Sequence, residues 1–298
     1  MEIKIYQVDA FTDKVFGGNP AGIVIDTENL TKDMMQNIAK EMNLSETAFA
    51  SRLDKDMFKV RFFTPVSEVD LCGHATIAMF HTLAKLKIIE PIANGLKTVY
   101  QETRLGRLPV EIVFKNGEVD KIFMEQAEPK DMAGIQDLEE LLKAMGLNME
   151  DMGVLDTTIF PRIISTGLPD IMLPVKTKQV LDGLNVDMNK LSIISERLGA
   201  IGVHVFYLPK LDSTHVYTRN FAPLVGIPEE AATGTSNGAL VYFLKNNNLI
   251  KGNSIISYQG EAMKRPSTIY CEIHETNDKE IIKVGGQAII TIIGKIFL

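Results

Sequence analysis

The feature that most constrains the fold is a repeat inside the chain. "LTKDMMQNIAKEMNLSETAFA" (30–50) returns in kind as "VDMNKLSIISERLGAIGVHVFY" (186–207), each a helix pattern, a short break and a strand pattern. "FFTPVSEVDLCGHATIAMFHTL" (62–83) returns as "NFAPLVGIPEEAATGTSNGALVYFL" (220–244). In this second pair Pro65 answers Pro223, Gly73 answers Gly234, Ala78 answers Ala239 and Leu83 answers Leu244. Matches that recur in one order point to a duplicated unit, although any two helix–strand units share some likeness.

The patterning of each unit sets the class. Strands are expected near 3–10, 20–26, 46–52, 57–63, 97–102, 107–114, 118–125, 159–165, 169–174, 203–208, 214–220, 253–258, 267–274, 280–284 and 287–293. Helices are expected over 32–42, 73–87, 188–198 and 234–247, with "LEELLKAMGL" leading into a connector at 148–156. "KNGE" (115–118) and "ETND" (275–278) read as hairpin turns. Frequent hairpins and few helices make an α+β chain rather than an alternating βαβ one.

Composition removes several classes of function. A formal charge of −7, with scattered Lys and Arg, argues against nucleic acid or an anionic membrane surface as partner. No apolar run reaches the roughly 18 residues a spanning helix needs, and "MEIKIYQVDAF" lacks the parts of a signal peptide. Two cysteines, Cys72 and Cys271, give no disulfide framework, so a cytoplasmic protein is expected.

The two repeated helices begin oddly. Cys72-Gly73-His74 opens one and Thr233-Gly234-Thr235 the other, where a serine or aspartate cap would serve stability. A helix N-terminus favours anions, and glycine permits close approach of a ligand to the backbone. A pseudo-twofold arrangement would let both helix starts face one cleft holding a small anion such as a carboxylate.

His74 in a first turn is disfavoured as imidazolium, which suits a neutral donor; a capping or core histidine is the alternative. Glu46 in "NLSETAFA" shares a strand face with Ala48 and Ala50. Space in front of a part-buried carboxylate suits a general base, although on pattern alone a solvated strand-end glutamate is the better reading. Glu229 and Glu230 precede the second helix and read either as dipole partners or as a further acid/base.

Metal-ligand spacing is absent, so no metal is expected, and Cys72 as a thiol nucleophile has no thiol counterpart in the repeat. "FGGNPAG" lacks the strand–glycine–helix context of a dinucleotide site, and no cofactor is expected.

"VDAFTDKVFGGNPAGIV", "NLSETAF", "RFFTPVSEVDLCGHAT", "GIPEEAATGTSNGAL", "QGEAMKRPS" and "GGQA" together resemble the phenazine-biosynthesis PhzF-like isomerase family over residues 8 to 288. The resemblance implies a fold similar to diaminopimelate epimerase, two pseudo-symmetric halves with a mostly antiparallel sheet rolled around a central helix. It implies halves at 1–118 plus 288–298 and at 119–287, an active site between them, and a homodimer without cofactor. It places the family's acid/base glutamate on Glu46 and its histidine on His74. The family's E-D-P-A-T-G-S run falls on "EEAATGT", so Glu230 stands for an aspartate, Ala231 for a proline and Thr235 for a serine.

The expected activity is isomerisation by proton transfer on a small carboxylate-bearing molecule. Glu46, His74 and Glu230 are the expected catalytic residues; Gly73, Gly234 and Thr235 would bind substrate. A ligand- or protein-binding module on the same fold is the alternative from another class, and a related epimerase or lyase the third.

Overall fold

The computed structural model describes residues 1–276 and 279–298; the "ETND" turn falls partly on 277 and 278, outside the described residues. Contacts divide the chain into two compact units, Met1–Glu125 with Gly285–Leu298, and Gln126–Val284.

In the first unit β1 (Glu2–Ala10) pairs antiparallel with β2 (Asn19–Ile25) and with the C-terminal strand. Helix α1 (Lys32–Met42) then crosses over so that β3 (Thr47–Asp54) lies parallel to β2. Its ends follow from the sequence. Thr31 caps it by accepting from Met34 N at 3.2 Å, and Asn43 closes it in the left-handed region at φ 49°. Met35, Ile38 and Ala39 form its buried stripe, with Ile38 alone contributing about 1.5–3 kcal/mol. Strand β4 (Met57–Phe63) returns antiparallel to β3, and the two-residue β5 (Glu68–Val69) folds back on it. Helix α2 (Gly73–Lys85) follows, buried from His74 to Ala84. It leads to β6 (Asn94–Thr103), parallel to β4, then the antiparallel β7 (Gly106–Lys115) and β8 (Glu118–Glu125). The turn between β7 and β8 takes positive φ at Asn116 and Gly117, as the "KNGE" signal requires.

The second unit repeats this succession. After β9 (Lys130–Gly134) and α3 (Leu138–Ala144), β10 (Arg162–Ser165) pairs antiparallel with β9 and with β11 (Pro169–Pro174). Past the short α4 (Lys178–Asp182), the crossover helix α5 (Met188–Leu198) places β12 (Gly202–Tyr207) parallel to β11. Asp187 caps α5 through Lys190 N, and Gly199 ends it at φ 66°. Strand β13 (His215–Ala222) returns antiparallel and carries β14 (Ile227–Glu230). Helix α6 (Gly234–Asn246) leads to β15 (Ser254–Gln259), parallel to β13, then to the antiparallel β16 (Ser267–Glu275). The chain ends through β17 (Glu280–Gly286) and β18 (Ala288–Phe297).

The duplication extends to side chains. Arg61 on β4 forks onto Glu68 at 2.7 and 2.9 Å, and Arg219 on β13 forks onto Glu229 at 2.8 and 2.9 Å. Each guanidinium also lies over the phenylalanine two residues on, 5.1 Å from the ring of Phe63 and 4.9 Å from that of Phe221. In each unit a Tyr-Gln pair, 100–101 or 258–259, presents its glutamine to the fourth residue of the buried helix. Thr76 Oγ1 donates to Gln101 Oε1 at 3.4 Å, and Asn237 Nδ2 to Gln259 Oε1 at 2.8 Å.

Some expectations need adjusting. Strand β10 begins at Arg162 rather than 159, because Pro161 has no N–H to offer a ladder. The 148–156 connector is built in, with Met152 and Val154 buried and Met152 bridging Val175. No helix among the described residues is long and apolar enough to cross a membrane.

Candidate active site

The first cluster lies within the first unit. Glu46 is the last residue before β3, one earlier than the strand itself, and its carbonyl accepts from Gly22 N at 3.0 Å. That bond anchors the backbone while the side chain projects from the strand end. His74 is the second residue of α2, where burial of the helix leaves its ring 5 % exposed against 18 % for Glu46. The ring is shared between three neighbours. His74 Nε2 lies 3.3 Å from Glu46 Oε2 and 3.4 Å from Ser45 Oγ, and Nδ1 lies 3.4 Å from Cys72 Sγ. Burial lowers the imidazole pKa from its ordinary value, and the Glu46 charge opposes this. The neutral ring is thereby favoured, as expected for His74, with burial as the main cause.

Cys72, His74 and Glu46 each offer a ligand atom within 4.8 Å of the others. Each ring nitrogen, however, faces a different partner, and a single cation takes one imidazole nitrogen only. The ring is hydrogen-bonded to Cys72 Sγ on one side and to Ser45 Oγ on the other, with Glu46 Oε2 in ion-pair reach of Nε2.

Neither buried helix is capped by its own cap residue. Cys72 and Thr233 make no side-chain cap bond, nor does Asp137 at α3, whereas Thr31, Thr177 and Asp187 cap α1, α4 and α5. A Cβ added to Gly73 would meet only Met124 Sδ, at an ordinary 3.7 Å, so internal packing does not demand a glycine there.

The second cluster lies within the second unit. Thr233 Oγ1 donates to Glu230 Oε2 at 2.9 Å instead of capping α6. Gln259 Nε2 donates to the Glu230 carbonyl at 2.8 Å and to Thr233 Oγ1 at 3.1 Å, and Gln259 Oε1 accepts from Thr233 N. Thr235 holds its position through its carbonyl, which accepts from Thr166 Oγ1 at 2.8 Å. Glu229, weighed with Glu230 as an acid/base, is instead tied into the Arg219 fork.

Behind Thr233 runs a buried polar chain. Asn237 donates to Gln259 and stands 3.3 Å from His204 Nε2; Asn220 Nδ2 meets His204 Nδ1 and Ser236 Oγ; Ser236 donates to Asp170. Burial pushes Asp170 up to about 6, against the Ser236 and Asn220 hydrogen bonds, and holds His204 down to about 3. Sequence reasoning singled out none of these, nor Ser45. Asp170 in "PDIMLP" and His204 in "GVHVFY" were visible as polar residues inside apolar strands, and the paired "YQ" at 100 and 258 as a repeat.

Comparison with known proteins identifies the family of the chain. A family profile described as "phenazine biosynthesis-like protein" matches residues 8–294. A Clostridium acetobutylicum protein described as an uncharacterized isomerase is 37% identical, over 96% of this chain and 95% of its own. The trans-2,3-dihydro-3-hydroxyanthranilate isomerase of Pseudomonas aeruginosa is 28% identical, over 98% of each chain. A crystal structure of a PhzF-family phenazine biosynthesis protein from Bacillus anthracis superposes with a TM-score of 0.86 at 29% identity, covering all of both chains. A duplicated α+β chain with an uncapped Gly-His helix start beside a Ser-Glu-Thr strand end thus belongs to the phenazine biosynthesis-like, or PhzF, family of isomerases.

Proposed function

We propose that the protein moves a proton between carbons of a small carboxylate-bearing substrate, without a cofactor, with Glu46 as the acid/base. The observation behind this is the asymmetry of its carboxyl group. Oε2 faces His74 Nε2 at 3.3 Å, while Oε1 has no hydrogen-bond partner among the described residues and belongs to a side chain that solvent reaches. Oε1 takes a proton from a carbon next to a conjugated system, the electron pair spreads over that system, and the same oxygen returns the proton at its far end. The His74 N–H steadies the carboxylate, and the uncapped start of α2 favours the substrate's negative charge.

The Pseudomonas aeruginosa relative is named for a ring carboxylate, which supports a cyclic or amino-acid-like carboxylate here. Gly73 lets that substrate approach the start of α2 closely, and Gly234, Thr235 and Glu230, the last bonded to Thr233, are the substrate-positioning residues of the second unit. The longer Glu230 and the Ala231 and Thr235 departures favour a substrate other than the phenazine precursor. Two free cysteines suit a cytoplasmic setting, and the exposed Ile292, Ile293 and Phe297 of β18 suit a homodimer.

The test is incubation of the purified protein in D2O with a panel of cyclic and amino-acid carboxylates. Enzyme-dependent deuterium at carbon in at least one compound is expected. Binding without exchange across the panel would favour a binding module instead.

A further inference from the structure

We propose that Cys72 is a positioning residue of the Glu46 site: its thiol donates to His74 Nδ1 and so commits the opposite ring N–H to Glu46. The inference rests on the reading of Glu46 as the acid/base. In its base form Glu46 is a carboxylate, which can only accept, so a proton between Oε2 and Nε2, 3.3 Å apart, belongs to Nε2, and Ser45 Oγ, 3.4 Å from Nε2, then accepts from the same N–H. A neutral imidazole with Nε2 protonated has a bare lone pair on Nδ1. Cys72 Sγ stands 3.4 Å from that nitrogen, and an S–H can supply the missing proton. His74 is buried, so water has little access to take this place.

The second unit makes the assignment more than a chance contact. Thr233 holds the position of Cys72 in the repeat, and its hydroxyl likewise forgoes capping to serve an ionisable neighbour, Glu230. In both units, then, the cap residue of the buried helix turns its side chain to a titratable group. At Cys72 the result is a line from Sγ–H to Nδ1 and from Nε2–H to Oε2, with Glu46 Oε1 left for substrate. Bonds in such a line strengthen one another, so loss of the thiol weakens the hold on Oε2.

The experiment compares wild type, Cys72→Ala and Cys72→Ser by 15N NMR of the imidazole and by substrate deuterium exchange. In the wild type Nδ1 should be unprotonated and hydrogen-bonded, Nε2 protonated. Cys72→Ala should move the Nδ1 resonance toward a free lone pair and lower the maximal exchange rate about five- to tenfold, the worth of one hydrogen bond, with KM little changed. Cys72→Ser should restore most of both. A protonated Nδ1 in the wild type, an Nδ1 resonance unmoved in Cys72→Ala, or a wild-type rate in that variant would overturn the proposal. The NMR arm reads the resting protein without substrate, so it decides the thiol–imidazole bond even if Glu46 proved not to be the base.

Discussion

Thr233 Oγ1 donates to Glu230 Oε2 across 2.9 Å and itself accepts from Gln259 Nε2 at 3.1 Å. One hydroxyl thus holds a carboxylate and a buried amide together. Thr233→Val keeps the shape and removes one hydrogen bond from each group. Each polar group left short costs about 1–3 kcal/mol if buried. The variant should therefore unfold at lower denaturant with an unchanged m-value, and an unchanged midpoint would show the hydroxyl to be dispensable.

Glu230→Gln tests the same carboxylate as chemistry. It should lower turnover about tenfold while leaving the unfolding free energy within about 0.5 kcal/mol, the pattern of a positioning group. A full-rate Glu230→Gln enzyme would confine Glu230 to a structural role.

The Arg61–Glu68 fork is the structural counterpart. The Arg61 hydrogen bond holds the Glu68 carboxyl below its usual range, and the Glu68 side chain is 4 % exposed. Arg61→Met removes that fork. Loss of about 3–5 kcal/mol is expected if Glu68 stays charged and buried, less where Lys32 and Arg104, each within 4 Å, take over part of the role. Urea unfolding of Arg61→Met beside Arg61→Met/Glu68→Leu checks it, since the double variant should recover most of the loss.

The repeat was legible in the sequence because its markers recur in one order: Pro65 and Pro223, Gly73 and Gly234, and two amphipathic helices. Helix α1 could be placed to the residue, since Thr31 and Asn43 end it by side-chain and left-handed caps. Strands β5 and β14 were missed because two and four residues show no period. Strand β9, exposed along its whole length, shows no apolar alternation. At the site, Glu46 and His74 stood out against the needs of a strand end and a helix start. The Asp170–Ser236–Asn220–His204–Asn237 chain did not, because it is assembled from four elements far apart in sequence.

That chain predicts a pH dependence. Asp170 is pushed from 3.8 up to about 6 by burial, so between these values the folded state holds a proton that the unfolded chain releases. Its contribution is therefore most favourable below about pH 4 and falls by roughly 3 kcal/mol as pH rises to about 6. His204, held down from 6.5 to about 3, acts oppositely: its contribution is full above 6.5 and is lost as pH falls toward 3. Asp170→Asn should thus gain stability relative to wild type from pH 4 to 6, and His204→Gln relative to wild type from pH 6.5 down to 3. Parallel stability–pH curves for wild type and either variant would contradict the assignment.

His74→Asn keeps a donor near Glu46 but loses the ring that lines it up. Its exchange rate should fall by less than that of a variant lacking the carboxylate, with the pH profile near neutrality unchanged because the neutral ring is already favoured. A larger loss than at Glu46 would move the acid/base role to the imidazole.

The central claim is that Glu46 carries the proton, and Glu46→Gln tests it most directly. Glutamine preserves shape and a carbonyl acceptor but cannot take up and return a proton. On any substrate that the wild type labels in D2O, the variant's exchange rate should fall about 10²- to 10⁴-fold, with substrate affinity and unfolding midpoint little changed. An exchange rate within a few-fold of wild type would contradict the account and leave Glu46 as a strand-end carboxylate.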